Sequence, residues 1–214
     1  MCRGKLPGMQ DAAAARSDEG AGCATIFTVG HSNHSADRLL ELLSAAGVKL
    51  VADVRRFPHS KRWPQFSLEW LKGRLGDCGI DYLWLAGLGG RRRLMDEDAA
   101  YAGWEQAGFR AYAAHMRSEE FQAALVRLTS LARDNLSACG HAQAGRAALM
   151  CAEGLWWQCH RRLIADQLLA RGYEVVHIMP DGRLAEHVLT PFAVARDGWL
   201  TYPAPLQRVP FSSG

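Results

Sequence analysis

The chain has 214 residues, 49% hydrophobic and 22% charged, with a net charge of +3. That length suits one sizeable domain whose core needs no metal or disulfide staple, and the composition excludes a wholly disordered chain. No run of about 18 apolar residues is present, which excludes a transmembrane helix. The mild positive charge permits a phosphate-bearing partner without requiring one.

Residues 1–23 are Ala, Gly, Ser and charged residues with little to bury, and a flexible tail is predicted. Arg3 and Lys5 precede no apolar segment, so no secretory signal is expected. Thr25 to Val29 is a short β-branched run that reads as a buried strand. Ser35 can cap a helix over 36–46, which Gly47 ends. Val48 to Val54 is a second strand, and strand–helix–strand with short connections predicts parallel pairing. Ser67 can cap a helix reaching about Cys78, and a third strand is expected over 80–85. Residues 94–108 read as loop or irregular helix. Helices are predicted over 109–116 and from Ser118 to about Arg133, followed by a loop over 134–145. Ala147 to Ala152 is a fourth strand, 160–171 a helix, and Glu174 to Ile178 a fifth strand. Asp181-Gly182 marks a turn.

The pattern predicts a single α/β, three-layer domain with a mostly parallel sheet of about five strands. It spans residues 24–190, with 191–214 as a C-terminal extension. Six cysteines in a long chain without an export signal predict reduced thiols in the cytoplasm, and no membrane partner.

In parallel sheets of this kind, ligands bind beyond the carboxyl ends of the strands. His31 and Ser32 follow the first strand there; Asp53, Arg55 and Arg56 follow the second; Cys151 and Glu153 end the fourth. Cys159 stands where a helix begins, beside His160, Arg161 and Arg162, a setting that lowers a thiol pKa and creates a nucleophile. Glu153 and His160 are candidate proton carriers, and Cys151 a second candidate thiol. A buried structural thiol is the bland reading of either cysteine. The spacing C-x7-C-H matches no common structural zinc pattern, so no metal is expected. The sequence names no cofactor. Residues 55–93 hold nine Lys/Arg against three acids, interleaved with Phe57, Trp63 and Phe66, a composition able to hold phosphates and stack bases.

Taken together, Thr28-Val-Gly-His-Ser-Asn33, Asp53-Val-Arg-Arg-Phe-Pro-His-Ser60, Gly87-Leu-Gly-Gly-Arg91, Leu149-Met-Cys-Ala-Glu153, Cys159-His-Arg161 and Val176-His-Ile178 occur in this order. The chain resembles the bacterial and archaeal domain-of-unknown-function family 488 over about residues 25–190. The resemblance implies a Rossmann-like, three-layer fold. It marks Gly30, His31, Ser32, Asp53, Arg55, Pro58, Ser60, Cys151, Glu153, Cys159, His160 and Arg161 as motif positions without assigning their roles. Trp156-Trp157 departs from the more polar stretch expected there.

The leading expectation is an enzyme acting on a phosphate-bearing substrate, a nucleotide or nucleic acid. Glu153, Cys159, His160 and Cys151 would be catalytic. His31, Ser32, Asp53, Arg55, Arg56, Ser60 and Arg161 would bind substrate. The alternatives are a nucleic-acid-binding module without chemistry, and a thiol-based redox or metal sensor using Cys151 and Cys159.

Overall fold

The computed structural model describes residues 24–59, 63–93, 99–138, 146–196 and 198–204. The expected tail, Ser60 and the end of the loop predicted over 134–145 lie outside the described residues. Six strands form one sheet: β1 (Thr25–Gly30), β2 (Val48–Asp53), β3 (Asp81–Trp84), β4 (Arg146–Cys151), β5 (Glu174–Ile178) and β6 (Leu184–Glu186). Their order is β3-β2-β4-β1-β5-β6. The first five run parallel, and β6 is antiparallel to β5. The Asp181-Gly182 turn, with Gly182 at φ +92°, makes β6 possible by folding the chain straight back along β5. A separate hairpin pairs β7 (Val194–Arg196) with β8 (Trp199–Thr201).

The helices are α1 (Ala36–Ala45), α2 (Leu68–Asp77), α3 (Ala107–His115), α4 (Glu119–Ala138) and α5 (Arg161–Ala170). Ser35 caps α1 through its hydroxyl, which accepts from the Arg38 amide at 3.1 Å. Ser118 does the same for α4, accepting from the Phe121 amide. Ser67, by contrast, turns its hydroxyl to the Pro64 carbonyl at 2.7 Å and caps nothing. Helix α4 continues five residues beyond Arg133, through a stretch predicted as loop. No helix among the described residues is long and apolar enough to cross a membrane.

Side chains on a strand alternate between faces, and the core divides accordingly. Phe27, Val29, Val51, Ala148 and Met150 pack against Leu39, Leu43, Leu71 and Leu75 of α1 and α2. Ile26, Leu50, Ala52, Leu149 and Cys151 pack on the other face against Tyr112, Phe121, Leu125, Leu163 and Leu168 of α3, α4 and α5. Leu200 and Tyr202 join this second cluster, so residues beyond 190 are built into the core.

This topology positions the site. Central strands β1 and β4 are neighbours, with Gly30 opposite Cys151. The chain leaves β1 for α1 on one face and leaves β4 for α5 on the other. Such a divergence opens a crevice beyond the strand ends.

Candidate active site

Beyond Gly30 and Cys151 the β1–β4 ladder continues for two residues, with the His31 and Ser32 amides donating to the Cys151 and Ala152 carbonyls at 2.9 Å. The chain then turns: Ser32 has φ +48°, an uncommon conformation for a residue with a Cβ. Cys151 points to the α5 face and is 3% exposed. Eight residues later a short 3-10 turn, Trp156–Gln158, brings the chain back, and Cys159 enters the same place at 2% exposure.

The two sulfurs lie 2.9 Å apart. Cys159 Sγ is 3.5 Å from His160 Nδ1 and accepts from the Arg161 amide at 3.5 Å, at the N-terminus of α5. His160 donates from Nε2 to the Val54 carbonyl at 2.9 Å, which leaves Nδ1 to face the sulfur. A Cβ on Gly90 would lie 2.7 Å from that Nδ1, so the glycine makes room for the ring. Cys151 Sγ accepts from the Glu153 amide at 3.2 Å.

Among the described residues Arg161 is the largest fully buried side chain, 1% exposed. No carboxylate pairs with it among the described ion pairs. Its Nη2 donates to the Glu153 and Gly154 carbonyls, its Nη1 to Thr28 Oγ1, and its Nε has no partner. Burial disfavours this cation, but the two sulfurs more than offset that and raise its pKa. The thiols respond in opposite ways. Burial, then the bond and the charge of Cys159, push Cys151 well up. Burial would push Cys159 up too, but the Cys151 S–H donor, His160 and Arg161 hold it well below the usual thiol range. The proton is therefore held more firmly on Cys151, and Cys159 is the sulfur that ionises more readily.

The remaining expected residues are placed as follows. Arg55 is bound to Asp53 through Nε and Nη2, the latter at 2.5 Å, and to the Phe66 carbonyl through Nη1. Asp53 is fully buried behind it and also accepts from Tyr82 at 2.6 Å. Burial and the Asp53 charge raise the Tyr82 phenol well above its ordinary value. His31 stacks on Phe66 at 4.1 Å, and burial followed by the Arg55 charge lowers its pKa to about 4. It is therefore neutral at pH 7. Arg56 is exposed and donates to the Arg91 carbonyl at 2.8 Å. Within the basic segment, Arg74 and Arg92 pair with Asp37 and Glu120.

Two cavities flank the thiol pair. The smaller, about 300 Å³, is lined by His31, Arg55, His59, Arg91 and Cys151 among others. The larger, about 790 Å³, is lined by Phe109, Tyr112, Trp157, Cys159 and Arg162 among others. Both are bordered by Arg91, Glu153 and His160. Glu153 is exposed, so its main chain holds the site while its carboxylate stands at the mouth. The structure thus gathers Glu153, Cys159, His160, Cys151, Arg55 and His31 at one crevice, with Arg161 beneath it. It leaves Asp53 behind Arg55 and Arg56 outside both cavity linings. A ring nitrogen of His160 and both sulfurs lie within 4.8 Å of one another, a ligand set that can hold a metal ion.

Sequence reasoning missed Tyr82 and Tyr112. Tyr112 donates to the Leu88 carbonyl at 2.6 Å and shares the cavity wall with Cys159. It also missed Thr28 as the Arg161 anchor. The available signal was a polar residue inside the apolar run Thr25–Gly30.

Fold and site together define a Rossmann-like α/β domain with a buried thiol pair at the switch point of its sheet. The chain belongs to the family described as Domain of unknown function DUF488, whose sequence model matches residues 35–168. That span contains both thiols, Glu153, His160 and Arg161. Comparison with curated proteins and with solved structures found no match to either.

Proposed function

We propose that the protein is a thiol-dependent cytoplasmic enzyme acting on a phosphate-bearing substrate, a nucleotide or a nucleic-acid end. The single observation behind this reading is the Cys159 sulfur, held between Cys151, His160 and a buried Arg161 that pairs with no carboxylate among the described residues. A buried guanidinium without an acid is costly unless another anion faces it. A thiolate is that anion, and it is also the nucleophilic form of cysteine. Cys159 gives its proton to His160 Nδ1, its sulfur attacks the electrophilic centre and breaks the bond to the leaving group, and His160 Nδ1 hands that proton to the departing atom. Glu153, at the mouth of both cavities, takes the proton of the water that releases the product. The larger cavity exceeds what a phosphate alone needs. Phe109 and Trp157 offer faces for a base, and Arg91 and Arg162 offer charge for phosphate.

Thiolate absorbance at 240 nm, followed against pH, tests the nucleophile without requiring reagent access. One step well below the usual thiol range is expected in the wild type and is lost in Cys159→Ser. Cys151→Ala moves that step up by about one pH unit, because the S–H donor is gone. If Cys159→Ser leaves the step in place, the assignment falls. Thermal shift against a panel of nucleotides and inorganic phosphate tests the substrate class, and no stabilisation by any of them would overturn it.

The 2.9 Å sulfur separation favours a second reading, a reversible dithiol–disulfide couple. Peptide mapping after mild oxidation decides it. A Cys151–Cys159 link, about 2 Da lighter than the dithiol and absent in Cys151→Ser, is the expected product.

A further inference from the structure

Four arginines line or underlie the two cavities, and three of them are engaged by the protein itself. Arg55 gives Nε and Nη2 to Asp53 and Nη1 to the Phe66 carbonyl. Arg161 is held by Thr28 and by the Glu153 and Gly154 carbonyls. Arg162 donates from Nε to Thr190 and lies over the Trp104 ring at 4.8 Å. Arg91 is the exception. It is exposed, it borders both cavities, and among the described residues its guanidinium has no hydrogen bond or ion pair.

The backbone under Arg91 is strained. Its φ is +56°, in the left-handed region that costs any residue with a Cβ and costs glycine nothing. Among the described residues only Ser32 shares a positive φ without being glycine, and Ser32 follows β1 at the same crevice. Strain of this kind persists only where the surroundings over-determine it. Here they do. Arg56 donates from Nη1 to the Arg91 carbonyl at 2.8 Å. A Cβ on Gly89 would lie 2.8 Å from Arg56 Cα, and one on Gly90 would lie 2.7 Å from His160 Nδ1, so the loop rests directly on both residues. On the other side, Arg92 donates from Nε to the Gly89 carbonyl at 2.9 Å and pairs with Glu120 at 3.1 Å. The two consecutive arginines therefore divide: Arg92 ties the loop to the fold, and Arg91 is left at the cavities.

We propose that Arg91 is the phosphate clamp of this site, presented at the border of the two cavities by its left-handed backbone, and that Arg56 is the positioning residue that holds it there. This rests on the phosphate-bearing reading above. A guanidinium offers a planar fork that matches two phosphate oxygens. His160 stands at the same border, and a phosphate there leaves the larger cavity, with Phe109 and Trp157, for the body of the substrate. Arg56, expected from the sequence as a substrate ligand, lies outside both linings and acts through the Arg91 carbonyl instead.

Strain kept for a ligand makes stability and binding move in opposite directions. The test is the thermal midpoint of the full chain, titrated at constant ionic strength with inorganic phosphate and with adenosine, guanosine, cytidine and uridine 5′-monophosphates. Without ligand, Arg91→Gly is expected to melt about 2–4 °C above the wild type, because glycine adopts the left-handed region freely. Its dissociation constant for each anion that stabilises the wild type rises about tenfold. Arg91→Lys, with the charge but not the fork, falls between the two. Arg56→Ala weakens the same anions about threefold, the loss of one carbonyl bond, and Arg56→Lys, which reaches the carbonyl, restores them. That loss persists at about 1 M salt, where charges more than about 3 Å apart are screened.

Unchanged anion binding in Arg91→Gly, or a ligand-free midpoint below that of the wild type, overturns the clamp while the wild-type response keeps the substrate class standing. An Arg56→Ala loss that salt abolishes, or no loss at all, removes the positioning role. A wild type stabilised by none of these anions removes the substrate class and the clamp together. Should Arg91→Gly fail to fold, Arg91→Asn, whose side chain also tolerates the left-handed region, gives the same comparison of binding.

Discussion

Gly30 is where a single side chain would break the site. A Cβ there would lie 1.9 Å from the Glu153 carbonyl oxygen and 2.8 Å from the Gly154 Cα. Both are backbone atoms, so the loop after β4 would have to move. That loop carries the amide bonded to Cys151 and the carbonyl bonded to Arg161. Gly30→Ala is expected to lower stability by about 3 kcal/mol, in the range of overpacked cores, read from a urea midpoint. It should also weaken the low step of the 240 nm titration. A variant as stable as the wild type would show that the two loops do not press on each other. The same scale explains why Asp53 and Arg55, each expected as a substrate-binding residue, are placed differently. Their mutual bonds and Tyr82 satisfy Asp53 inside the fold, so only Arg55 reaches the cavity.

At the scale of elements, the helices were legible because each signal is local. Ser35 before α1 and Gly47 after it, at φ +68°, mark both ends of that helix within a few residues. The short strands were not legible. β6, β7 and β8 have three residues each, too few to show an alternation. They form because β5 and a neighbouring hairpin arm offer ladders to pair with. The segment beyond 190 matters for the same non-local reason. Leu200 and Tyr202 are buried against the second core, and Tyr202 donates to Asp166 on α5. A chain ending at residue 190 loses the burial of both, about 4 kcal/mol at typical values per large side chain. A melting curve against a chain ending at 204 checks this. Equal midpoints would mean that the last strands are dispensable.

For the whole molecule, buried neutral histidines make stability depend on pH. The unfolded chain protonates His31 and His177 near pH 6.5, whereas the folded protein keeps them neutral down to about 4 and about 3. Because the folded values are depressed, their contribution is fully present above pH 6.5. It fades as pH falls toward 4 for His31 and 3 for His177. At pH 4 each ring has removed roughly 3 kcal/mol. Burial lowers His115 as well, which adds in the same direction. Urea midpoints should therefore drop steeply between pH 7 and pH 4.5. A flat profile across that interval would show that these rings are open to water.

The residues by themselves determined the parallel α/β architecture, because apolar β-branched runs, caps and glycine stops are written in short stretches of chain. They also determined which titratable groups stand at strand ends, since a strand end is a local feature. Only the tertiary structure decided what those groups face. Cys151 and Cys159 meet because a 3-10 turn folds residues 156–158 back over the sheet. Arg161 meets them because it opens α5 two residues after Cys159 and reaches Thr28 of β1. Thr28 and His177 meet because two parallel strands, 149 residues apart in sequence, settle in one register. Contacts of that kind depend on which strands become neighbours, and a sequence window of a dozen residues carries no information about that.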